Sequence, residues 1–139
     1  MFDVALSEAG AKVVLTSSSD ENYPPENMLD GKTETFWIST GMFPQEFILS
    51  FPGLMNIKTI RLFCFHVRGL SIHRSILKEP QDFEVMDERE LTPSDASLQM
   101  EEFKFDSTTA HHIKFVIKSG FDHFVSVHKL HVDGTAVRQ

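Results

Sequence analysis

The sequence predicts an all-β protein, an antiparallel sandwich or barrel, on three observations. Apolar residues recur with period two in several short runs separated by turn-forming residues, and no long stretch sustains a 3.6-residue period. The third is the aromatic content: thirteen phenylalanines against one tyrosine and one tryptophan. A phenylalanine ring has no polar handle, so most of these rings are expected inside, and ring-rich cores suit strands. At 139 residues the chain matches one domain spanning 1–139.

In chain order, the predicted strands begin with 12–16 (KVVLT) and 46–51 (EFILSF). In 56–65 (NIKTIRLFCF), Ile60, Leu62 and Cys64 fall on one face. Residues 70–72, 82–86, 98–105, 111–118 and 124–132 complete the set, and 84–91 (EVMDEREL) could instead add a helical turn. Breaks are expected at Pro52-Gly53, Gly69, Glu79-Pro80, Thr92 to Asp95, Ser119-Gly120 and Asp133-Gly134. About eight to ten short strands at this spacing read as a sandwich.

Hydrophobic residues at 41% and charged residues at 24% mark a globular chain. The net charge of −7, with no lysine or arginine cluster, argues against nucleic acid and anionic membranes. Cys64 stands alone, so no intrachain disulfide forms, which suits a reducing compartment. The first residues, MFDVALSEAGAKVV, lack the basic and apolar regions of a signal peptide. No run approaches the roughly 18 apolar residues of a membrane span. A cytosolic location is the simplest expectation.

The densest chemistry lies in PPENMLDGKTETFW, residues 24–37. Gly31-Lys32-Thr33 looks like the tail of a phosphate-binding loop, but Glu26 stands where such a loop needs glycine, and its carboxylate would repel phosphate. A helix–loop–helix calcium loop also fails, because Met28 and Trp37 would occupy ligand positions. The backbone suits a single helical turn: Pro25 opens it, Met28 and Leu29 anchor it, and Gly31 closes it in a left-handed conformation. Asn27 and Asp30 then share one side, near the unpaired carbonyls at the end of the turn. With a threonine carbonyl and hydroxyl a few residues on, they make an all-oxygen nest of the kind Ca²⁺ takes. The alternative is a capped turn in which Asp30 only accepts backbone N–H groups as an Asx-turn. Trp37 is expected to start the next strand and cap the core beneath the loop.

Pro-Glu-Asn-x-x-Asp-Gly-x-x-x-Thr-x-Trp at 25–37 resembles the opening loop of the discoidin or galactose-binding-like superfamily. Segments 17–37, 40–47 (TGMFPQEF), 78–84 (KEPQDFE) and 119–135 (SGFDHFVSVHKLHVDGT) are similar to one branch of it, the intraflagellar transport protein 25 or heat-shock protein beta-11 family. The resemblance implies a jelly-roll β-sandwich with a structural Ca²⁺ whose ligands fall on Asn27, Asp30 and Thr35. It also implies a non-enzymatic ciliary adaptor in intraflagellar transport complex B, found in the cilium or flagellum and the cytoplasm. Its expected obligate heterodimer partner is a Rab-like small GTPase, intraflagellar transport protein 27. One departure bears on the metal. Many sugar-binding relatives carry a glutamate just before the final glycine, where this chain reads Val132-Asp133-Gly134. With fewer charged ligands, binding is expected to be weak.

Other constellations carry less. Strand alternation places His128 and His131 on opposite faces, and likewise His111 and His112, so neither pair is expected to share an ion. No serine sits on a nucleophile elbow, and Cys64 on an apolar face is expected to be inert. The acidic run over 79–102 reads as a solvated loop face or a docking surface for basic groups. In 38–44 (ISTGMFP), apolar residues occupy an expected loop, so Thr40, Met42 and Phe43 are candidates for the GTPase interface, unless Met42 and Phe43 plug the end of the sandwich. A discoidin-type module for carbohydrate or lipid headgroups is the alternative function. It would want exposed tryptophan or tyrosine for stacking.

Overall fold

A computed structural model describes residues 2–18, 20–32, 34–39, 42–93, 98–122 and 124–137. Eight strands carry the fold: β1 (Phe2–Asp3), β2 (Lys12–Thr16), β3 (Trp37–Ile38), β4 (Gln45–Phe65), β5 (Val67–Ser75), β6 (Glu84–Glu90), β7 (Gln99–Gly120) and β8 (Ser126–Ala136). Two 3-10 turns, Ser7–Ala9 and Pro25–Leu29, complete the described elements. Every strand pairing is antiparallel.

Two long strands organise the sandwich. The first part of β4 pairs with β2 and with the end of β7, and β7 continues to β5 and β6. The second part of β4 pairs with the start of β7 and with β8, which also holds β1 and β3. Both strands therefore pass from one sheet to the other. The crossing is a bulge: Ser50 faces His112 and Met55 faces Ala110, so 51–54 are set against His111 alone. Extra unpaired residues bend and twist a strand, which lets it turn the corner between sheets. Pro52-Gly53 makes this corner, where the sequence predicts a break.

Three further expectations change. Gly69 and Asp133-Gly134 lie inside β5 and β8, and the reversal between β4 and β5 falls on His66, at φ +64°. Residues 84–90 form β6 rather than a helical turn, because the β5 ladder satisfies their backbone groups and Arg89 reaches across to the Phe103 ring, 4.1 Å from its centroid. Gly134 is required where it stands: a Cβ there would meet the Asn56 carbonyl at 2.9 Å.

The core lies between the sheets. Phe47, Leu49, Ile72, Ile113, Phe115 and Ile117 face it from one side, and Ile60, Leu62, Cys64, Phe103, Val127, Leu130 and Val132 from the other. Phe47 and Phe115, directly opposed across β4 and β7, stack at 4.8 Å. Trp37, fully buried, meets Phe47 edge-on at 5.6 Å, and its indole N–H donates to the Ser18 carbonyl at 3.0 Å. Buried Gln99 takes over for the ladder beside the His66 reversal, bonding both the N–H and the C=O of Val67.

Candidate functional site: an oxygen loop and an exposed aromatic ladder

The turn over Pro25–Leu29 forms as its residues dictate, with Pro25 first, Met28 and Leu29 buried, and Gly31 following at φ +78°. Its end brings oxygen atoms together. The Thr35 hydroxyl donates to the Asp30 carboxylate Oδ2 in a short hydrogen bond, and lies 3.3 Å from the Asn27 carbonyl. Asp30 Oδ1 accepts the Lys32 N–H at 2.9 Å, so the Asx-turn forms as well. The two carboxylate oxygens thus have different partners, Oδ1 the Lys32 N–H of the Asx-turn and Oδ2 the Thr35 hydroxyl. The Asn27 side chain points elsewhere: its Nδ2 donates to the Phe36 carbonyl at 3.0 Å. Asn27 therefore offers its backbone oxygen to the loop and ties the loop to the segment leading into β3.

This donor set consists of hard oxygens, matching Ca²⁺ or Mg²⁺ rather than Zn²⁺. It holds one carboxylate. No group of three or more His, Cys, Asp or Glu side chains converges among the described residues. Asp133, at the position where many sugar-binding relatives carry a glutamate before the final glycine, engages His131 at 2.7 Å and Arg61 at 3.9 Å.

The phenylalanines overturn the composition-based expectation. Among the described side chains, Phe47, Phe51, Phe103 and Phe115 are buried, while the other rings are half-buried or exposed. Several join an outward ladder. Tyr23 stacks on Phe36 at 4.7 Å, Phe36 on His128 at 4.7 Å, and His128 meets Phe65 edge-on at 5.5 Å. Phe65 continues to His66 at 5.9 Å, and His66 to Phe124 at 5.7 Å. Lys129 over Phe63 and Arg68 over Phe121 add cations to this side.

A second bulge completes the ladder. Cys64 faces Val127 and Phe63 faces Lys129, so His128 is an extra residue. The bulge turns both His128 and Lys129 outward, and alternation then resumes with Leu130 buried and His131 outward. His128 and His131 thus share a face, contrary to the alternation argument. They still have separate partners: His131 lies between Asp3 at 3.1 Å and Asp133 at 2.7 Å. His111 and His112 depart from expectation in the same way, stacking at 4.7 Å at the β4–β7 corner.

Of the three residues singled out near the GTPase interface, Thr40 lies outside the described residues. Met42 is 87% exposed, whereas Phe43 packs against the core, where a Cβ on Gly120 would meet its ring at 2.7 Å. The pair divides between the two expectations, one residue presented and one plugging the end. Phe121 and Phe124, both exposed, are joined to this end through the His66 carbonyl and ring.

Cys64 is buried, and burial, aided by Glu101, pushes its thiol up to about 12. The thiolate is the reactive form. A thiol reagent at pH 8 is expected to label Cys64 only after urea unfolding, as read by mass spectrometry.

The chain is 45% identical over 136 residues to the human intraflagellar transport protein 25 homolog, a match covering 98% of this chain and 94% of that protein. It is 40% identical over 134 residues to intraflagellar transport protein 25 of Chlamydomonas reinhardtii, covering 96% and 70%. The chain belongs to the intraflagellar transport protein 25 family. No protein-family model matches it. The family's fold is seen in distant solved structures. A Clostridium perfringens CBM32 domain in complex with GalNAc-β-1,3-galactose superposes with a TM-score of 0.79 at 22% identity, covering 91% of this chain and 97% of that one. A family 32 carbohydrate-binding module from C. perfringens NanJ, in complex with galactose, gives 0.80 at 18%, covering 94% and 96%. At such identities the likeness establishes the jelly roll alone.

Proposed function

We propose that this chain is a non-enzymatic adaptor subunit of intraflagellar transport complex B, working in the cilium or flagellum and the cytoplasm. It pairs stably with a Rab-like small GTPase, intraflagellar transport protein 27, and holds a structural calcium ion. The observation that carries the reading is the outward aromatic ladder from Tyr23 to Phe124, with exposed Met42 at the same end of the sandwich. Rings left outside a core of this size are costly in water and characteristic of interfaces that a partner covers. Phe43 anchors the loop that presents Met42. Thr40, two residues before Met42, belongs to the same proposed surface.

A carbohydrate-binding role finds less support. Sugar stacking needs free ring faces, and Phe36 is sandwiched between Tyr23 and His128. Size-exclusion chromatography with mass analysis, with and without the GTPase, tests the adaptor reading. A single 1:1 species supports it, whereas no association alongside selective glycan-array binding would replace it with the lectin reading.

Calcium would be held by the Asn27 carbonyl, the Asp30 carboxylate and the Thr35 hydroxyl. It would supply charge that clips the Pro25–Leu29 turn to the segment before β3. With one carboxylate on an exposed loop, a dissociation constant of order 10⁻⁴–10⁻³ M is expected. At tenfold excess over that constant, linkage stabilises the fold by about 1.4 kcal/mol. Differential scanning calorimetry should show this rise for the wild type, and Asp30→Ala should abolish it. A wild-type melting temperature indifferent to calcium would end the calcium reading while leaving the adaptor reading intact.

A further inference from the structure

The corner where β4 and β7 cross between sheets carries a second feature, an open surface cavity of about 420 Å³. Its lining includes Lys12 from β2, Ser50 from β4, Lys78 and Glu79 from the β5–β6 connection, and His111 and His112 from β7. In a chain of net charge −7, this cavity gathers two ammonium groups and two imidazoles against one carboxylate. The bulge is responsible: with 51–54 opposite His111 alone, alternation fails and the two imidazoles stack, 13° from parallel. Bulges that re-aim side chains recur beside functional sites.

His112 forms a fixed wall. Its Nε2 lies 2.8 Å from the Lys78 carbonyl, which can only accept, so Nε2 carries a proton and donates. Its Nδ1 is 2.5 Å from the Ser50 hydroxyl. Both residues are buried, so the pair holds the β5–β6 connection, and with it Lys78, against the sheet. Lys12 and Lys78 are exposed, and their ammonium groups are free to close on a ligand.

We propose that this cavity binds a tetrahedral dianion of the phosphate-monoester class, clamped between Lys12 and Lys78 with His111 as a third contact. Lys12 and Lys78 against Glu79 leave one net positive charge, and protonation of His111 makes two, which a dianion neutralises and a single carboxylate does not. Burial, then His112 and then Lys78, depress the pKa of His111, while the Phe51 carbonyl opposes them. An incoming dianion reverses that balance by favouring the imidazolium. Binding of a ligand whose own charge is constant therefore strengthens as pH falls through the His111 transition. The charged groups facing His111 across the cavity are Lys12, Lys78 and Glu79, with His112 beside it on its own strand.

The test is an NMR titration of the ¹⁵N-labelled chain with inorganic phosphate and with sulfate, against chloride at matched ionic strength. Sulfate serves as the dianion whose charge does not change near neutral pH. Saturable shifts at Lys12, Lys78, His111 and His112 are expected. Sulfate affinity should be at least threefold higher at pH 5.5 than at pH 7.5. The double substitution Lys12→Gln, Lys78→Gln should weaken binding tenfold or more, and His111→Gln should flatten the pH profile. Both lysines are exposed, so the fold is retained. Phosphatidylcholine vesicles with and without a phosphoinositide monoester separate the sources: co-sedimentation only with the headgroup assigns a lipid phosphate, and its absence a soluble one. Linear shifts shared with chloride, or binding unaffected by the lysine substitutions, would overturn the proposal.

Discussion

Replacing Trp37 with alanine is expected to destabilise the fold by about 3–5 kcal/mol, the range for deleting a large buried aromatic side chain. Trp37 has no exposed surface, packs edge-on against Phe47, and bonds the Ser18 carbonyl through its indole. Its strand is only two residues long, so the side chain, rather than the β3 ladder, holds this segment against β8. Domains of this kind are stable by about 5–15 kcal/mol, so the substitution removes a large share. Urea denaturation followed by circular dichroism measures it. Trp37→Phe restores most of the volume and isolates the indole hydrogen bond, at about 1 kcal/mol. A loss below about 1 kcal/mol for Trp37→Ala would show that the loop and β3 are held by other contacts.

Phe65→Glu is expected to weaken association with the proposed GTPase partner at least a hundredfold, about 2.7 kcal/mol or more, with the fold intact. Phe65 is the middle rung of the ladder, between His128 and His66, and it is half-buried on the outer face. A carboxylate there would be desolvated where an apolar ring is buried, which is costly. Val85→Glu is the control, since Val85 is 58% exposed on β6, the edge strand at the other end of the strand order from β1 and β8. Isothermal titration calorimetry should separate the two. Equal affinities for both variants would remove the ladder from the interface.

Some of this was legible in the chain. KVVLT forms β2 at residues 12–16 as predicted, and Ile60, Leu62 and Cys64 share the core face. The loop was also readable. Asn27, Asp30 and Thr35 meet because a proline-initiated turn closed by glycine brings near neighbours in sequence together. The histidines were not readable in this way. Alternation assigns His111 and His112 to opposite faces, and likewise His128 and His131, yet each assignment fails at a bulge. A bulge is a property of two strands, set by how many residues the partner places opposite.

The predicted breaks show the same limit. Pro52-Gly53 breaks the ladder as expected but only as an unpaired corner within β4, whereas Asp133-Gly134 continues a strand because β4 and β1 supply the pairing that local propensity argues against. The outward phenylalanines make the point about composition: thirteen rings predicted a large core, but core capacity is set by the area between the sheets. By itself, the sequence determined the β class, the turn and oxygen nest at 25–35, and the position of Trp37, all of which rest on local backbone preference and short-range hydrogen bonds. Only the tertiary structure decided which aromatic rings face outward and which cations line the β4–β7 corner. Those depend on cross-strand register, which residues distant in sequence fix jointly.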